Sequence, residues 1–269
     1  MYIIRIIMEE TKMNAIQKTI AVAALALASL MPVQNVHADG ISRGMRGPTN
    51  LQLDSRLSYA ENDLNVKTMR ETMILKYWDG KEFGLFGFVN MPYKYINTPT
   101  GSSTGLGDIN LGAGPRGQRG DFHWLSYVGI TIPAGDVASK PALGNGRIDE
   151  KISIAGTYVG KGYEINGVLE HTFTGKNNSG ITPPNETSIG IVGGREFTPG
   201  LKVAAGLTST IKTNSDYVLT ARAVARYTIS PKFHIEVMLD KGIVGHNLPR
   251  SISGGLYVRY NFGNYTHRQ

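Results

Sequence analysis

The chain has 269 residues, 33 glycines, no cysteine and a formal net charge of +7 at pH 7. The missing cysteine excludes a disulfide scaffold, and the glycines argue for many turns and close strand contacts over helices. The positive charge is scattered, with no Lys/Arg block and no aromatic-interleaved basic stripe, so no nucleic-acid partner is expected.

The first element is not part of the fold. Residues 13–40, MNAIQKTIAVAALALASLMPVQNVHADG, place Lys18 ahead of an apolar run from Ile20 to Leu30 and end on Val36-His37-Ala38 before Asp39. This predicts a secretory signal peptide over 1–38, cleaved after Ala38, with Met13 as an alternative start. The run is shorter than the roughly 20 residues that a membrane-spanning helix needs. Residues 39–49 are a short polar periplasmic segment, read as a candidate plug, and 50–269 form the folded domain.

From residue 50 onward the chain shows a two-residue period in twelve segments: 50–60, 66–78, 82–95, 106–116, 121–133, 148–159, 162–174, 186–197, 200–211, 216–229, 232–241 and 250–262. Most exceed the usual strand length of about 5–6 residues and suit the roughly 9–11 that a tilted strand needs to cross a bilayer. Their connections alternate in length. Short turns such as DGK (79–81), GQRG (117–120) and GKG (160–162) take turns with longer stretches. Among those are INTPTGSSTG (96–105), AGDVASKPALGNGR (134–147), GKNNSGITPPN (175–185) and KGIVGHNLPR (241–250). The expected fold is all-β, a transmembrane up-and-down antiparallel β-barrel of about 12 strands with one trim end and one elaborate end.

Aromatic residues fit that reading. Trp78, Phe83, Phe122, Trp124, Tyr158, Tyr163, Phe197, Tyr227 and Phe233 lie beside short turns, and Tyr59, Tyr93, Tyr95, Phe173 and Tyr217 near long loops. They are expected to form two belts at the two membrane–water interfaces. In GDFHWLSYVGITIPAGD (120–136), Phe122, Trp124, Val128, Ile130 and Ile132 share one face, and His123, Leu125, Tyr127 and Thr131 the other. The first face is expected to meet lipid.

The opposite face of the strands is charged. The early strands place Asp54, Arg56, Arg70, Lys76 and Asp108 in the lumen. The middle strands add Lys151, Glu164, Glu170 and Lys202. The late strands add Arg222, Arg226, His234, Glu236, Asp240 and Arg259. Arg222 and Arg226 lie one strand from Glu236 and Asp240, so cross-strand ion pairs are expected. Such pairs either stiffen a side-chain-filled barrel or line a water-filled path. Barrels of about 8 strands are filled and those of 16–18 leave a channel, so twelve leaves both readings open.

TGLGDINLGAGPRG (104–117), followed by GITIPAGD (129–136), resembles the outer-membrane proteins of the "MetA-pathway of phenol degradation" family. The resemblance extends over about 50–262. It implies a β-barrel transporter or channel for small hydrophobic or aromatic compounds, embedded in the outer membrane of a Gram-negative bacterium. From the residues themselves, Asp108 is expected to point into free space among Gly105, Gly107, Gly112 and Gly114, and Pro133 to end a strand.

Competing motifs carry less. GSSTG (101–105) matches G-x-S-x-G, but no helix follows to make a nucleophile elbow of Ser103. GAGPRG (112–117) matches G-x-G-x-x-G but opens a turn. No H-x-S spacing supports a barrel phospholipase, and Asp240 and His246 lack partners for a barrel protease. The histidines show neither HxH nor HExxH spacing, so no metal site is expected. The sequence therefore points to a passive outer-membrane channel, without enzymatic activity or cofactor, whose partners are membrane lipid and a small solute, most simply as a monomer. A 134–147 loop gate is a further expectation. The alternatives are a structural or adhesive barrel with a closed lumen and, behind it, a barrel hydrolase.

Overall fold

The computed structural model describes residues 50–79, 83–177, 180–230 and 232–262. The expected signal peptide and the 39–49 segment lie outside the described residues. Thirteen strands follow one another: β1 (Asn50–Asn62), β2 (Lys67–Trp78), β3 (Phe83–Thr98), β4 (Gly101–Leu106), β5 (Ile109–Arg119), β6 (Phe122–Ile132) and β7 (Asp149–Val159). Then come β8 (Tyr163–Phe173), β9 (Glu186–Thr198), β10 (Leu201–Lys212), β11 (Tyr217–Ser230), β12 (Phe233–His246) and β13 (Ser251–Asn261). Neighbours in sequence pair antiparallel except β4 and β5, which both pair with β3; β1 also pairs with β13, and β2–β3 completes the circle. The sheet has no free edge around its membrane portion, as a hydrocarbon solvent requires.

β4 and β5 are two halves of one wall strand, so the barrel is twelve-stranded. Both pair with β3, but the register steps by one residue between Tyr93↔Leu106 and Asn90↔Asn110. The cause is Pro92. It has no N–H to give the ladder, and the partner side bulges at Gly107 and Asp108. Gly107 N still donates to Pro92 O at 2.8 Å.

Strand parity separates two surfaces. Outward residues such as Val128, Ile154, Ile191 and Leu207 are exposed, whereas inward Gln52, Asp54, Lys76, Leu125 and Ser153 are buried. That is the reverse of a soluble protein and the signature of a lipid-facing exterior. The belts form as expected at most positions. Phe83, Phe122, Tyr158, Tyr163 and Phe197 are exposed at the trim end, and Tyr93, Tyr95, Phe173 and Tyr217 at the other. β6 ends at Ile132, immediately before Pro133.

Three sequence expectations are corrected. Trp78 turns into the lumen, because parity on β2 groups it with Thr72, Ile74 and Lys76. Phe233 is buried in an outer-face cluster with Ile235 and Leu256 instead of standing in the belt. The stretches 96–105 and 241–250 are largely strand: β3 runs to Thr98, β4 starts at Gly101, and β12 continues to His246. Beyond the membrane the backbone still gains by pairing, whether or not the side chains alternate. The long irregular connections are therefore 133–148 and 174–185.

Candidate pore lumen

Residues directly opposite on paired antiparallel strands share a face, with Cβ atoms about 4.5–5.5 Å apart. β11 and β12 set Arg222 opposite Asp240 and Arg226 opposite Glu236. The Arg222 guanidinium grips Asp240 with two bonds, Nε to Oδ1 at 2.7 Å and Nη2 to Oδ2 at 2.9 Å. Arg226 Nε donates to Glu236 at 2.9 Å. One step down, His234 lies opposite Thr228, its Nδ1 3.0 Å from the hydroxyl.

The ladder continues through β13, β1 and β2. Arg259 opposes Asp54 and donates to it at 2.9 and 3.2 Å, and Lys76 Nζ reaches the same carboxylate at 2.6 Å. On the other side, Lys202 of β10 reaches Glu164 of β8 at 2.6 Å. The bridge crosses β9 where Glu164 opposes Gly194, which offers no side chain to obstruct it. Lys151 lies 3.5 Å from Glu170, and the Tyr127 hydroxyl donates to the same carboxylate. Buried pairs like these contribute little net stability, because desolvation offsets attraction. Removing one partner nevertheless leaves a stranded charge.

A second wall is apolar. Trp78, Phe86, Leu125, Tyr127 and Ala155 form an inward cluster joined by Phe88 and Val168. Phe88 meets Tyr127 edge-on with centroids 5.1 Å apart, and Phe86 lies 5.9 Å from Phe88. Glycine makes the room: a Cβ at Gly112 would run into the Phe88 ring and come within 3.1 Å of Tyr127. The Arg116 guanidinium sits 5.6 Å from the Trp78 ring centre.

Both long loops are tied to inward carboxylates at strand ends. Asp108, in the β4–β5 break, accepts from Gly135 N at 3.1 Å and Asn145 N at 2.6 Å. Lys94 Nζ donates to Leu143 O at 2.8 Å, and Leu143 is buried. The 133–148 connection is thus drawn over the end of β5. Within it, Asp136 accepts from the Ser139 hydroxyl and then from Ala138 N, which together hold its carboxyl below the ordinary range. Asp149 accepts from Gly175 N at 3.0 Å and Arg147 Nε at 2.7 Å, anchoring the start of the other loop.

All the charged residues read from the sequence lie on the inner face, but they do different things. Arg222, Arg226, Glu236, Asp240, Asp54, Arg259, Lys76, Glu164, Lys202, Glu170 and Lys151 form the ion-pair ladder. Asp108 does not stand in free space as expected: it is buried and serves as a loop anchor. Arg56 lies over the Tyr257 ring, 4.2 Å from its centre, and Arg70 lies opposite Ser58 and Lys94. The sequence places Tyr127 and Leu125 on the inner face, but the reading missed Lys94, Arg116, Asp149 and the inward Trp78, Phe86 and Phe88. Parity carried forward from Arg70 across the β2–β3 turn would have found Lys94. The same parity extends to Phe88 and Phe86, although FGLFGFVN, apolar on both faces, gives no contrast of its own.

The model of the family described as "Putative MetA-pathway of phenol degradation" matches residues 47–260. No curated protein sequence matches the chain. Among solved structures, the barrel is similar to an outer membrane channel from Pseudomonas putida F1, at TM-score 0.68 and 16% identity, covering 85% of this chain and 100% of that one. It is also similar to the translocator domain of autotransporter NalP from Neisseria meningitidis, at TM-score 0.56 and 13% identity, covering 91% and 98%. The NanC porin gives TM-score 0.52 and 14% identity, covering 77% and 98%. At these identities the likeness is one of fold.

Proposed function

Because the chain belongs to the MetA-pathway of phenol degradation family, we propose that it is a passive outer-membrane channel for small hydrophobic or aromatic molecules. The observation that carries this reading is the two-sided lumen. A ladder of ion pairs keeps one wall polar, while Trp78, Phe86 and Tyr127 pack into an apolar wall on the other with Phe88 partly buried against it. A small amphipathic solute would find apolar contact at Phe88 and polar partners along the ladder. The channel performs no reaction, and it is exported to the outer membrane of a Gram-negative bacterium through the segment ending at Ala38.

A structural or adhesive barrel with a closed lumen is the second reading. It is favoured by the depth of burial of Gln52, Lys76, Leu125 and Met238 on the inner face. Solute flux separates the two. Liposomes holding the refolded chain should swell quickly in isosmotic small aromatic solutes and slowly in long oligosaccharides. Absence of protein-dependent swelling from a correctly folded barrel would favour the closed lumen.

A further inference from the structure

Most lumen cations have a carboxylate within ion-pair distance. Lys76 and Arg259 share Asp54, and Lys151, Lys202, Arg222 and Arg226 have Glu170, Glu164, Asp240 and Glu236. Arg56 and Lys94 are arranged differently. Arg56 rests on the Tyr257 ring, and its Nε is buried with no hydrogen-bond acceptor. Lys94 spends its ammonium on a neutral carbonyl, that of Leu143.

The register brings these two together through Arg70. Arg56 opposes Thr72 and Ser58 opposes Arg70, so the two arginines are diagonal neighbours on one face of the β1–β2 pair. Arg70 in turn opposes Lys94 directly on the β2–β3 pair. Each feels the next: the charge of Arg56 acts on Arg70, and that of Arg70 acts on Lys94. Asp54 is the carboxylate on the inner faces of β13, β1, β2 and β3 among the described residues, and it is already held by two cations. Asp108 also acts on Lys94, but its oxygens are engaged by Gly135 N and Asn145 N.

Like charges held side by side repel, and a buried donor without an acceptor costs about 1–3 kcal/mol. A wall that keeps both is arranged for an anion that supplies the missing acceptor. We infer that Arg56, Arg70 and Lys94 form a binding station for the carboxylate of a small organic acid. This deepens the channel reading and rests on it: the transported solute is an organic anion. A carboxylate can meet a guanidinium fork with two parallel bonds while the ammonium of Lys94 adds a point charge. From Lys94 to Phe88 is six residues along β3, about 20 Å. A solute caught in the outer half therefore has the ring wall below it.

The test uses the refolded 39–269 chain in planar bilayers under a potassium chloride gradient. The reversal potential should show preference for chloride, and benzoate should block the current where neutral benzamide does not. Arg56→Gln combined with Lys94→Gln should weaken the benzoate block about tenfold, the equivalent of one lost charge-assisted hydrogen bond. Arg56→Lys, which keeps the charge and loses the fork, should restore the chloride preference but only part of the block. A conducting channel that prefers cations, or treats benzoate and benzamide alike, would overturn the station while leaving the channel standing. A folded barrel that carries no current would overturn the channel reading. In that event, calorimetric titration with benzoate in detergent still reads the station, with binding lost in Arg56→Gln expected and equal binding contradicting it.

Discussion

The two walls of the lumen are built on the same strand parity and held by opposite physics. On the β11–β12–β13–β1 side, Arg222, Arg226 and Arg259 each face a carboxylate by register, that of Asp240, Glu236 and Asp54. On the β2–β3–β6 side, Trp78, Phe86, Phe88 and Tyr127 pack together at the short-turn half of the strands, in space cleared by Gly112. The difference teaches that an inner face need not be uniformly polar. Charge pairing fills one side and ring contact the other, and the Arg56 guanidinium is left with a buried donor between them.

The sharpest way to break the comparison is on the charged side. Asp240→Ala removes two hydrogen bonds and the opposing charge from the fully buried Arg222 and should lower stability by about 3–5 kcal/mol, read as a loss of heat-modifiable gel mobility at lower denaturant. The replacement of Phe88 by Leu, which keeps the apolar character of the ring wall, should be far milder in the same assay.

Inside against outside is the next contrast. Ile191 is 59% exposed on the lipid face, so Ile191→Arg should cost about 2–4 kcal/mol at mid-depth. Thr208→Arg, inward on the adjacent strand, should assemble normally. Equal damage would contradict the register. Ser153 would make a poor inward control, because it is 2% exposed and has no room for arginine.

Tyr127 joins the two walls, with its ring on Phe88 and its hydroxyl on Glu170. Tyr127→Phe keeps the ring and removes a bond to a charged group, and should cost about 1.5–3 kcal/mol in equilibrium unfolding. The smallest effect on stability is expected at Asp108. Asp108→Ala should leave assembly intact but release the 133–148 loop, seen as faster proteolysis at 134–147 and a change in open-channel current.

Why the charged wall was legible and the ring wall only at Leu125 and Tyr127 follows from alternation. In YVLTARAVARYTIS, Arg222 and Arg226 stand out against Ala221, Ala223 and Ala225, so parity alone assigns both faces. In FGLFGFVN, Phe83 and Phe86 fall on opposite faces and both are apolar, so composition does not tell them apart; the parity that Lys94 shares with Phe86 and Phe88 along β3 does, and pairing with β2 and β5 agrees. Trp78 was misplaced because its position beside a short turn was weighed above its parity with Lys76. Twelve strands, their order and the two belts were readable because length and turn spacing repeat along the whole chain. The Asp108 anchor was not, because its partners lie on a loop 27 and 37 residues away in sequence.

The most direct measurement is the current through single refolded molecules of the 39–269 chain in a planar bilayer, with folding checked by heat-modifiable mobility. Discrete current steps are predicted, altered by Asp108→Ala and by charge changes at Arg56. A folded barrel that inserts and gives a flat baseline under all solutes would contradict the account.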